Sequence, residues 1–98
     1  MQIVDFGPLV SLKSQEFYGC TKLNTIILRR STAITSLTNI NNFNNTPFAS
    51  GKAGGTIYIP KVLYDELGTG STLDYKAATN WSTILGYANN QILPIEGS

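Results

Sequence analysis

The stretch FYGCTKLNTIIL, residues 17–28, decides how this chain is to be read. It holds the only cysteine, Cys20, between Phe17 and Leu23, and runs straight into Ile26, Ile27 and Leu28. Taken alone, Cys20 invites a search for a nucleophile or a redox thiol. Taken with its neighbours, it is one apolar position in a series: Leu9, Leu12, Phe17, Cys20, Leu23. Free cysteine is among the most buried residue types and packs as a small hydrophobe. The spacing therefore favours a core filler over a reactive group.

The pattern recurs. Val4 and Phe6 alternate as strand residues do, and Ile26 with Leu28 and Ile57 with Ile59 repeat the alternation. Val4 to Ile26 is 22 residues, Leu9 to Ile34 and Leu12 to Leu37 are each 25, and Phe17 to Phe43 is 26. Self-similarity at such a period is the signature of a repeat architecture. One unit cannot bury its apolar face alone; stacking on the next does so and pairs successive strands in parallel. The fold expected is an α/β repeat, a short solenoid with parallel strands. Residues between the strands wind back through turns into the same core, and Thr46 of FNNTPF stands near the place of Cys20 in the second unit.

Composition narrows the chemistry. The 98 residues allow one domain at most, with a core but little stability to spare. A mean hydropathy of -0.01 fits a folded chain, while charged residues make up only 13%, about half the usual share. Asn, Ser and Thr supply much of the remaining surface, as in many secreted or virion proteins. The net charge of +1 and the lack of any basic run beyond Arg29-Arg30 argue against nucleic acid. No apolar run approaches the length of a membrane-spanning helix, so no membrane insertion is expected, and the N-terminus does not read as a signal peptide.

Histidine is absent, which removes the commonest general base and zinc ligand. Of the six carboxylates only Asp65 and Glu66 are close in sequence, and helix neighbours point apart. SGKAGGT (50–56) and LGTGST (67–72) lack the spacing of phosphate-binding loops and read as turns, where Gly supplies positive φ. The sequons at Asn44 and Asn80 are expected by chance in so Asn- and Thr-rich a chain. No catalytic residue, metal ligand or cofactor site is assigned, and the chain is expected not to be an enzyme.

From Pro60 the pattern turns helical. Pro60 can open a helix carrying Val62, Leu63 and Leu67 on one face, which GTGST ends. TLDYKAATNW predicts a second short helix with Thr72 as N-cap and Asp74 in its first turn. Asn80 or Ser82 would cap a third through Ile84, Leu85 and Tyr87, and ILPI would form a last strand with Pro94 at an edge. Trp81 is expected as the plug of this end; its rival role is a sugar-stacking platform. Residues 1–60 are thus read as repeats and 61–98 as a C-terminal cap of one domain, the last part of a longer array. The uncapped first coil offers a surface for homo-oligomers.

FYGCTKLNTIIL and VDFGPLVSL resemble the leucine-rich repeats of BspA-type bacterial surface proteins, whose core is Phe-x2-Cys-x2-Leu followed by a short strand. GGTIYIP with YKAATNWS and ILPI is similar to the C-terminal end of such arrays in bacterial and prophage-encoded proteins; DELGTGSTLD (65–74) departs from it as a longer link. The resemblance implies a leucine-rich-repeat solenoid with a small helical cap. It also implies an interaction and adhesion module that binds a protein or glycan at the cell surface or outside the cell. The alternative is a structural or receptor-binding component of a phage or prophage particle, located in the virion. On the repeat alignment Asp5, Ile27 and Tyr58 form an outward stripe with Arg29, Arg30 and Lys52 near its edge, so Asp5, Ile27, Arg29 and Tyr58 are the candidate ligand-binding residues.

Overall fold

The computed structural model describes residues 3–8, 10–12, 21–38, 43 and 45–95, and of Leu12 the backbone alone. The expectations for Leu9, Phe17, Cys20 and Asn44 fall outside the described residues. Among the described residues there are six strands: β1 (Ile3–Asp5), β2 (Ser11–Leu12), β3 (Thr25–Ile27), β4 (Ser36–Leu37), β5 (Thr56–Ile59) and β6 (Gln91–Pro94). The described residues also form two short helices, α1 (Lys61–Tyr64) and α2 (Trp81–Gly86), and a 3-10 turn at Tyr75–Ala77.

β1, β3, β5 and β6 form one all-parallel sheet in that order. Val4 pairs with Ile26, Ile26 with Ile57, and Ile57 with Ile92, so the alternation seen in the sequence is the register of the sheet. Backbone bonds continue past the strand ends: Phe6 N–H donates to Ile27 O, Leu28 N–H to Tyr58 O and Arg29 N–H to Gly7 O, each at 2.9 Å. β6 closes the sheet at one edge and carries Pro94 there, as an edge strand can.

The return stretches hold more order than turns alone. β2 and β4 pair in parallel as a second, two-stranded sheet, with Leu12 opposite Leu37. That match is the 25-residue spacing of the sequence.

Beneath the main sheet lies the core. Leu23, Ile26, Leu28, Ile57, Ile59 and Leu63 are fully or almost fully buried, with Phe43, Phe48, Tyr75 and Trp81. The aromatic rings pack in a chain: Phe48 on Phe43 with centroids 5.4 Å apart, Phe43 on Trp81 at 6.0 Å, and Tyr75 edge-on to Trp81 at 5.5 Å. Edge-to-face packing aligns the positive ring edge with the negative face. Thr46 is buried and spends its hydroxyl on Phe43 O at 2.6 Å.

Three expectations for the C-terminal third need correction. The helix after Pro60 is a single turn: Leu63 is buried, but Val62 is 52% exposed. The chain leaves α1 through tight turns, with Glu66 N–H bonding Leu63 O and Leu67 N–H bonding Tyr64 O, so no long face forms. The cap of the Tyr75–Ala77 turn is Asp74, not Thr72; its Oδ1 accepts from Lys76 N–H at 2.9 Å. Asn80 does precede α2, but at φ 68° its side chain makes no cap bond. It donates instead to Leu37 O at 2.7 Å.

Asn90 holds three segments together. Its Oδ1 accepts from Gly55 N–H at 3.1 Å, while Nδ2 donates to Phe48 O at 2.9 Å and Ile84 O at 2.8 Å. No buried side-chain nitrogen or oxygen lacks a hydrogen-bond partner among the described residues. Nor, among the described residues, is any helix long and apolar enough to cross a membrane.

Candidate interaction surface

A strand alternates its side chains across the sheet, so a parallel register lines up like-facing residues in rows. With Ile26 and Ile57 buried, the opposite face carries one row of Ile3, Thr25, Thr56 and Gln91 and a second of Asp5, Ile27, Tyr58 and Leu93. Ile27, Tyr58 and Leu93 are half-buried, and Asp5 is exposed at the β1 end. Of the candidate residues, Asp5, Ile27 and Tyr58 therefore stand side by side as expected. Leu93 joins them. The alternation Ile92-in, Leu93-out in ILPI is its only signal in the sequence, and it becomes readable once β6 is placed beside β5.

Arg29 lies two residues beyond Ile27 and reaches diagonally to Asp5, its Nε donating to Oδ1 at 3.0 Å and Oδ2 at 2.9 Å. Asp5 also accepts from Gly7 N–H at 3.0 Å. The Gly7 N–H and then the Arg29 guanidinium hold the Asp5 carboxyl below its ordinary value. The two other expected cations lie elsewhere. Arg30 turns to Ile34 O at 3.1 Å, and Lys52 lines a hollow of about 210 Å³ with Asn45, Pro47 and Ala53.

Beyond the second row the face ends in a pocket of about 330 Å³ lined by Arg29, Ser31, Pro60, Val62 and Ile95. Ile95 enters through its N–H bond to Ile59 O at 2.7 Å, which carries the ladder one residue past β6.

A larger cleft of about 400 Å³ separates β4 from the 70–79 loop, with Ile34, Leu37 and Trp81 in its wall. Its charge is committed to the fold. Asp74, 3% exposed, accepts from Gly68 N–H at 2.9 Å and Gly70 N–H at 3.0 Å through Oδ2. Burial is the largest single influence on this carboxyl and pushes it up. The N–H groups of Gly70, Lys76, Gly68 and Ala77 together outweigh it, so Asp74 sits below its ordinary value. LGTGST is thus an anion-cradling loop whose anion is the carboxylate of Asp74, two residues beyond it. Trp81 is fully buried, so its ring is no platform for a sugar.

The remaining described carboxylates are also engaged: Asp65 with Lys61 at 3.1 Å, and Glu66 with the hydroxyls of Thr69 and Ser71. Among the described residues no three metal-ligating side chains cluster. Comparison with family models, with curated proteins and with solved structures returns no match.

Proposed function

We propose that this chain is a non-enzymatic interaction module, a short leucine-rich-repeat solenoid of the BspA type closed by residues 61–98. In this reading it belongs to a bacterial cell-surface or secreted protein and binds a protein partner through the outward face of its sheet. One observation carries the reading. The register gathers Ile27, Tyr58 and Leu93 into an apolar row, with Thr25, Thr56 and Gln91 on one side and the Asp5–Arg29 pair on the other. An apolar centre containing a tyrosine and ringed by polar groups has the anatomy of a protein-binding hot spot. Across three inter-strand steps the patch is about 14 Å wide, enough for one anchor of a partner. Ile27 and Leu93 offer sugars no hydrogen-bonding side chain, which favours a protein over a glycan. The repeat spacing and the resemblance of FYGCTKLNTIIL to BspA-type repeats support the solenoid and the surface location.

The test is selection of binders from a random peptide library on the immobilised chain. Tyr58→Ala should weaken the selected binders by about tenfold or more while the domain stays folded by circular dichroism. Lys76→Gln, off the sheet, should leave them unchanged. Binders that hold Tyr58→Ala as tightly as the parent chain would sink the reading.

A further inference from the structure

The pocket at the end of the face pairs two chemistries at close quarters. Asp5 grips Arg29 through Nε alone, at 2.9 and 3.0 Å. Both Nη groups are left without a protein partner among the described residues, on a guanidinium that Asp5 holds through Nε. A planar fork of free N–H donors matches a carboxylate, which it can bind with two parallel hydrogen bonds. Against it lies an apolar wall of Pro60, Ile95 and Val62, the last 52% exposed. Ser31, whose hydroxyl has no protein partner among the described residues, lines the same pocket.

At about 330 Å³ the pocket has room for one side chain rather than a helix or a strand. Its occupant must therefore carry the apolar group and the carboxylate on a single residue. A chain's C-terminal residue does so. We propose that this pocket binds the C-terminus of a partner protein, seating an apolar last side chain against Val62 and Ile95 and its α-carboxylate on the Arg29 Nη groups. Asp5 is then a positioning residue, which holds the fork in place without touching the ligand. The proposal rests on the reading of the sheet face as a binding surface and adds what the end of that face recognises.

The probe is an N-acetylated tetrapeptide ending in leucine with a free carboxylate, titrated into the full chain and followed by NMR. Shifts are expected at Arg29 Nε–H and the methyls of Val62 and Ile95. The C-terminal amide of the same peptide should bind about tenfold more weakly or worse, because a charge-assisted bond pair is lost. Arg29→Gln should reproduce that loss and Val62→Ser should weaken the free acid. Lys61→Gln, a neighbouring cation paired with Asp65, should change nothing. Equal binding of acid and amide, or full binding by Arg29→Gln, overturns the proposal. Shifts at Ile27, Tyr58 and Leu93 with none at Arg29 and Val62 overturn the pocket and leave the face standing. Absence of any shift overturns the pocket too, and the Tyr58→Ala comparison then decides the face separately.

Discussion

A buried carboxylate with backbone N–H groups of Gly68, Gly70 and Lys76 aimed at it, as Asp74 has, stabilises its loop only while it is charged. Its folded-state value is lowered. The contribution is therefore present above the unfolded-state value of about 3.9 and is lost as pH falls through the folded one. Asp74→Asn should cost about 2–3 kcal/mol at pH 7, since an amide presents N–H where donors already converge. In urea unfolding at a series of pH values, the gap between parent and variant should narrow below pH 4. A gap independent of pH would mean that the charge is not what the loop uses. Glycine tells a second story. Gly68 and Gly70, at φ 82° and 76°, are the turn glycines that LGTGST announces. Gly55 has no such φ; a Cβ there would lie 2.5 Å from the Phe48 ring and 2.9 Å from Asn24 O. Gly55→Ala should cost about 1–3 kcal/mol in the same assay, as overpacking does. The sequence marks both loops as turns, but only tertiary packing distinguishes a glycine needed for its backbone from one needed for its lack of a side chain.

In β4, Ser36 N–H points to β2, bonding Val10 O at 3.0 Å. Alternate residues of a strand direct their backbone groups to opposite sides, so Thr35 and Leu37 face away from β2. Side chains meet them there. Thr35 N–H donates to the Tyr75 hydroxyl at 2.9 Å, Trp81 Nε1–H donates to Thr35 O at 2.6 Å, and Asn80 Nδ2 donates to Leu37 O at 2.7 Å. Three side chains thus take the place of a third strand in the second sheet and leave no bare edge at these groups. Trp81→Phe keeps most of the packing but removes the Nε1–H donor to Thr35 O, and should cost about 1–3 kcal/mol in thermal or urea unfolding. Burial, only partly opposed by the bond from Thr35 N–H, raises the Tyr75 hydroxyl above its ordinary value of 10.0. The folded state holds that proton more tightly, so the stability is full below about pH 10 and lost as pH rises through the folded value. Between pH 8 and 11 the parent should lose stability more steeply than Tyr75→Phe; parallel curves would contradict this. Trp81 as a buried plug was legible because the last coil of a repeat needs an apolar residue to cover it. Its hydrogen bond was not, because a side chain meeting a backbone 46 residues away leaves no periodicity to read.

The main sheet was the most legible part, because its register is written twice: in the alternation of Val4, Ile26 and Ile57 and in the spacing between them. The place of β6 was not, since ILPI reads as a strand but nothing in it names β5 as its neighbour. Leu93 was missed from the outward row for the same reason. The row itself, and every functional statement built on it, depends on Thr25, Ile27, Thr56 and Tyr58 sharing a face. A cross-strand disulfide tests that. Paired residues of neighbouring strands lie about 4.8 Å apart, within the span a disulfide bridges. In a chain with Cys20→Ser, the pair Thr25→Cys and Thr56→Cys should close on mild oxidation, read as a loss of free thiol in the monomer. Thr25→Cys with Ile57→Cys should stay reduced, because Ile57 faces the core. Closure of the second pair and not the first would shift the register by one residue, turn Tyr58 inward and contradict the account.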